Sequence, residues 1–191
     1  MAGKSEIITS DFCFLMLDQA KDFLSANRRP LRFLALFGLI FGASYFLFAV
    51  APGVRLGIIK PYTELLATAV AAIINLFGAG ATADGTLVSS PAFSINIAMG
   101  CDGVEASSLF LAGVLAFPTS WRARLIGLAV GIPLIHSINL ARLVGLYYAG
   151  VFMPSVVDEV HVYVAQTIVI LLSTAILIFW LDRFAVQHRR A

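Results

Sequence analysis

Cys101, Arg142 and His161 carry side chains that could together perform acyl transfer. An ionised thiol is a nucleophile, an imidazole moves protons near neutral pH, and a guanidinium donates hydrogen bonds to a developing oxyanion. Cys101 lies in Gly100-Cys101-Asp102-Gly103-Val104-Glu105, between two glycines and directly before an apolar run. That order predicts a strand–turn–helix junction, with the thiol at the positive end of a helix, where the thiolate is favoured. Many cysteines serve only as apolar packing, but packing needs neither a sharp bend nor neighbouring acids. Arg142 belongs to the series His136, Asn139, Arg142, whose spacing of three sets them on one helix face, a turn apart. An arginine so placed can also snorkel to lipid headgroups, since Gly150 is about two turns away. His161 follows Val157-Asp158-Glu159-Val160, and taken alone it reads as an interfacial residue. Its interest comes from the thiol and guanidinium expected on the same side of the membrane.

The elements that must position these residues are apolar. The chain is 60% hydrophobic and 13% charged, whereas soluble domains carry about 25% charged residues. Lipid is the simpler solvent for such a chain, and its length fits one domain. A helix needs roughly 20 apolar residues to cross the hydrocarbon. Residues 33–50, 104–117, 125–149 and 162–181 meet that need, the second only if extended into its flanks. A fifth stretch, 62–79, is apolar apart from Glu64 and Asn75. Residues 7–26 read as an amphipathic surface helix, because their Asp and Lys residues forbid spanning. The expected fold is therefore an all-α integral membrane protein, a bundle of about five hydrophobic segments. Residues 1–30 form an N-terminal surface segment and 31–191 a single membrane-embedded domain. Residues 81–100, rich in Thr, Ser, Gly and Pro and alternating over 93–97, predict a short β-like hairpin on the outer face before Cys101. Such backbone cannot face lipid.

Basic residues favour the cytoplasmic side of short loops. Trp121-Arg122-Ala123-Arg124 and the tail from Asp182 to Arg190 are thus expected inside, which gathers Cys101, Arg142 and His161 at the outer face. The first half allows two arrangements. Arg28, Arg29 and Arg32 favour an inside N-terminus, with 62–79 re-entrant or lying in the outer interface. Otherwise the N-terminus is outside, with Arg55 and Lys60 inside. The first has more basic residues behind it.

Several classes fit poorly. A net charge of +2 without a basic amphipathic element argues against nucleic-acid binding. Cys13 and Cys101 form neither a disulfide framework nor a metal-ligand spacing, so no metal and no cofactor are expected. The N-terminus lacks a signal-peptide pattern, which leaves targeting to the membrane segments. No Gly-x-Ser-x-Gly, His-Glu-x-x-His or Glu-Glu motif marks another membrane protease, and no nucleotide-binding loop marks a pump. The alternative from another class is a transporter subunit or assembly factor, with Arg142 lining a solute path and Cys101 incidental. Five segments without an internal repeat make an independent carrier a poor fit.

The runs GCDGVEASSLFLAGVLAFP, SWRARLIGLAVGIPLIHSINLARL and VVDEVHVYVAQ resemble the exosortase/archaeosortase family over residues 60–181. The family's Cys-x-Gly turn, Asn-x-x-Arg pair and later His correspond to Cys101 with Gly103, Asn139 with Arg142, and His161. The short length, Gly-Cys-x-Gly-Val-Glu-Ala and the Pro-Tyr-Thr at 61–63 look most like the compact exosortase H branch. Asp102 stands where Asn or Ser is expected, and an acid there would oppose thiolate formation. The resemblance implies a cysteine peptidase or transpeptidase of the cytoplasmic (inner) membrane, acting at its periplasmic face. Its partners would be exported proteins ending in a motif, a membrane helix and a basic tail, together with an acyl acceptor of unknown identity. Cys101 would attack, Arg142 would hold the oxyanion and His161 would protonate the leaving amine. Asn139 would orient Arg142 or the substrate backbone, and Glu105 would pair with Arg142 or grip the substrate. His136 is expected to be structural, and Cys13 dispensable.

Overall fold

The computed structural model describes residues 19, 21–98, 100–155 and 166–186. Most of the expected N-terminal surface helix and all of 156–165, including His161, lie outside the described residues. Helix α1 (Arg28–Tyr45) runs into a wider π-type turn, Phe46–Val50, and its Phe33, Phe37, Phe41 and Tyr45 rings line up at i, i+4 spacing. Pro52 opens the turns that lead into α2 (Lys60–Asn75). Helices α3 (Val104–Ala116), α4 (Trp121–Phe152) and α5 (Gln166–Trp180) complete the bundle.

Four helical stretches are long and apolar enough to cross a bilayer: Arg28–Val50, Pro52–Asn75, Trp121–Phe152 and Gln166–Phe184. Large apolar side chains point outward along them, among them Leu39, Phe46, Leu65, Val130, Leu171 and Phe179. That much exposed apolar surface belongs in lipid, and the molecule is a multi-pass, all-α membrane protein. Helix α3, with 13 residues, spans about 20 Å and is short for a full crossing.

Two glycines one turn apart let the helices close on one another. A Cβ at Gly127 would collide with the Trp180 indole, and one at Gly131 with the Phe110 ring. This small-x-x-x-small pattern brings α3 and α5 against the backbone of α4. Trp180 Nε1 then reaches the Ala123 carbonyl at 2.9 Å. Phe110, Val114, Ala123, Ile135 and Trp180 form the core at that end.

The expected hairpin is a three-stranded antiparallel sheet, β1 (Thr82–Asp84), β2 (Leu87–Ser89) and β3 (Ser94–Asn96), in the order β1-β2-β3. Gly85, at a positive φ of 57°, supplies the tight turn between β1 and β2. Ser90 organises the second turn, its Oγ accepting from Ala92 N and Phe93 N and meeting the Tyr147 hydroxyl at 2.8 Å. Asn75, a polar exception within an apolar segment, ties the sheet to α2. Its Nδ2 donates to the Ala81 carbonyl, and its Oδ1 accepts from the Ala81 amide.

Helix α2 buries Leu66, Val70 and Ile74 against Val88, Ile97, Leu143 and Tyr147, in the same core as Cys101. It therefore lies beside the sheet and the later turns of α4, not beside the start of α4. Arg29 and Arg32 on α1 share a cavity with Arg124 on α4, which places the two basic clusters at one end of the bundle. Helix α2 thus packs in the part of the bundle that holds Cys101, away from these basic clusters.

Candidate active site

Three conditions fix the turn that carries Cys101. Gly103 adopts φ +82°, and a Cβ there would lie 3.2 Å from the Asn139 side chain. The positive φ favours glycine, and the close approach of Asn139 leaves little room for a side chain. Asp102, 2% exposed, turns its Oδ1 to the Val104 amide at 3.0 Å and satisfies an otherwise orphan donor at the start of α3. Cys101 N donates to the Ala98 carbonyl at 3.0 Å. The thiol is itself 8% exposed and carries no disulfide.

Asn139 joins the turn to α4. It is fully buried, its Nδ2 donating to the Cys101 carbonyl at 2.9 Å and its Oδ1 accepting from Arg142 Nη1 at 3.2 Å. Both ends of the amide are satisfied, as burial demands. Arg142 then reaches the nucleophile, with Nη2 3.9 Å from Cys101 Sγ. Its Nε is buried and meets no acceptor, so this guanidinium retains an unused donor close to the sulfur.

Behind the turn is a second network. Tyr62 Oη lies 2.6 Å from His136 Nδ1 and 3.4 Å from the Asp102 carbonyl, and Ser107 Oγ lies 3.2 Å from His136 Nε2. One tautomer satisfies all three contacts: Ser107 donates to Nε2, Nδ1–H donates to Tyr62, and Tyr62 donates to Asp102 O. His136 thus braces the nucleophile turn through Tyr62. The sequence marks His136 as structural and carries Tyr62 only within Pro-Tyr-Thr; α2 and α3 each hold more than one hydroxyl, so neither Tyr62 nor Ser107 stands out as its partner.

Burial pushes the Cys101 thiol above its ordinary range. The Arg142 charge and hydrogen bond oppose this without cancelling it, while Asp102 and Glu105 add upward pushes. The helix end was expected to favour the thiolate, but desolvation wins and the resting group is a thiol. Burial likewise raises the Asp102 carboxyl, against the Val104 hydrogen bond and His136.

Glu105 does not pair with Arg142 among the described residues. It lines a cavity of about 210 Å³ with Tyr45, Phe48, Arg55, Gly100 and Asp102. An adjoining apolar cavity of about 250 Å³ is bounded by Phe48, Tyr62, Ser107 and His136. Of the expected residues, Cys101, Asp102, Gly103, Asn139 and Arg142 come together, with Glu105 in the first turn of α3. His161 and Cys13 lie outside the described residues. Among the described residues no group of His, Cys, Asp and Glu could hold a metal.

The family model described as transmembrane exosortase matches residues 13–180. No curated protein and no solved structure matches the chain.

Proposed function

The chain belongs to the transmembrane exosortase family, and from that premise we propose that it is a membrane thiol peptidase or transpeptidase working through Cys101. The observation that carries this reading is the Arg142 guanidinium, held by Asn139 and reaching Cys101 Sγ at 3.9 Å with its Nε unused. A cation fixed beside a buried sulfur suits an oxyanion forming on the carbon that the sulfur attacks.

The substrate is an exported protein whose tail combines a short motif, a membrane helix and basic residues. Its scissile peptide lies against the 210 Å³ cavity beside the nucleophile turn. A base is needed because burial keeps the resting sulfur protonated. His161 takes the thiol proton as Sγ adds to the carbonyl carbon, and Arg142 balances the charge gathering on the carbonyl oxygen. Collapse breaks the C–N bond, and the proton passes from His161 to the departing amine. The thioester left on Cys101 is then attacked by an amine or hydroxyl acceptor, or by water, which restores the thiol.

The site's distance from the basic end of the bundle supports placing it at the periplasmic face of the inner membrane. From Trp121 to Asn139, α4 rises about 27 Å, close to the thickness of the hydrocarbon core. The test is co-expression with a substrate bearing such a tail, its size followed by blot. Arg142→Gln lowers processing by roughly 100-fold or more, the usual cost of losing an oxyanion donor. Processing within a few-fold of the parent would remove Arg142 from this role.

A further inference from the structure

At the end of the bundle away from Cys101, three arginines converge from two helices. Arg29 and Arg32 stand one turn apart at the start of α1, and Arg124 stands in the first turn of α4. They line a cavity of about 420 Å³ whose other wall is apolar, with Phe33, Leu36 and Leu115. Arg124 is held in place: Nη2 donates to the Phe117 carbonyl at 3.0 Å, and its guanidinium carbon lies 4.9 Å from the centre of the Trp121 ring. Its Nε is buried and meets no acceptor. Lys60 and Glu64 form an ion pair on another helix, and among the described residues no carboxylate lines this cavity.

Three guanidinium groups that share a cavity with no carboxylate among the described residues, one of them oriented and with an orphan donor, suit an anion with several acceptor oxygens. The apolar wall selects the source. A free phosphate gains nothing from Phe33 and Leu36, whereas a phospholipid lays an acyl chain along them while its phosphate meets the arginines. The cavity lies at the first turns of α1 and α4, where a chain with this charge pattern meets the headgroup layer. We propose that this pocket binds the phosphate of an anionic phospholipid in the leaflet opposite Cys101, with an acyl chain along Phe33 and Leu36. This site is independent of the thiol chemistry, and its readout is binding.

The experiment titrates the purified full chain, in neutral detergent, with phosphatidylglycerol and counts bound lipid by native mass spectrometry. Phosphatidylcholine and inorganic phosphate serve as separate arms. Arg29→Gln, Arg32→Gln and Arg124→Gln each weaken phosphatidylglycerol binding by roughly fivefold, the effect of one basic residue at a membrane surface. Arg28→Gln and Arg122→Gln remove the same charge nearby but do not line the cavity, and they stay within twofold of the parent. If Arg124→Gln fails to fold, the exposed Arg29 and Arg32 decide the matter. Equal losses in all five variants would reduce the effect to general surface charge and overturn the proposal. Competition by millimolar inorganic phosphate as strong as that by the lipid would overturn it as well, in favour of a free-anion site.

Discussion

Asn139 is the residue on which the site geometry turns. One amide holds the Cys101 carbonyl and the Arg142 guanidinium, so the distance between sulfur and cation is set by a single buried side chain. Much of this was legible beforehand. A polar triplet spaced by three in an apolar run, and a cysteine between glycines, mark unusual positions whatever the tertiary structure. The Tyr62–His136–Ser107 contacts were not legible, because they join residues far apart in sequence and hydropathy says nothing of partners. Nor was the protonation balance at Cys101. The helix-end argument is local, whereas desolvation depends on everything packed around the thiol. In a Cys13→Ser background, alkylation of Cys101 by iodoacetamide therefore rises with pH through a midpoint above that of an exposed cysteine. Arg142→Gln removes the largest downward influence and moves the midpoint higher still. A downward shift in that variant would contradict the electrostatic role given to Arg142.

Among the elements, α4 carries the most information, since its spacings hold both the site face and the packing face. The Gly127–Gly131 pair admits Trp180 and Phe110, while Asn139 and Arg142, further along, meet the nucleophile turn. Gly131→Leu should lower thermal stability in detergent by about 1–3 kcal/mol, the usual cost of overpacking. An unchanged melting temperature would mean that Phe110 does not lie against that backbone. The helices could be read from hydropathy, with ends differing by a few residues as fraying allows. The sheet was read as a hairpin, because alternation over so few residues does not reveal how many strands pair. Its third strand is held by register with β2, Leu87 opposite Asn96 and Val88 opposite Ile95, which is a tertiary fact.

For the whole molecule, the ambiguous segment was α2. Hydropathy measures how much a helix avoids water without telling lipid from protein. In its most apolar window, 39% of Pro52–Asn75 is buried within the protein, compared with 6% for Arg28–Val50. Packed beside the sheet and the later turns of α4, α2 leaves the basic starts of α1 and α4 together at the opposite end. A sidedness test follows from that placement. With both native cysteines replaced by serine, a membrane-impermeant maleimide applied to intact spheroplasts labels Thr82→Cys and spares Ser120→Cys. The reverse pattern would invert the molecule in the membrane. Processing by the thiol of Cys101 is decided by the size of a tail-bearing substrate co-expressed with the parent or with Cys101→Ala. If that thiol is the nucleophile, the parent trims the substrate and Cys101→Ala, at equal expression, leaves it full length. Normal trimming by Cys101→Ala would contradict that role and would leave a transport or assembly role as the better reading.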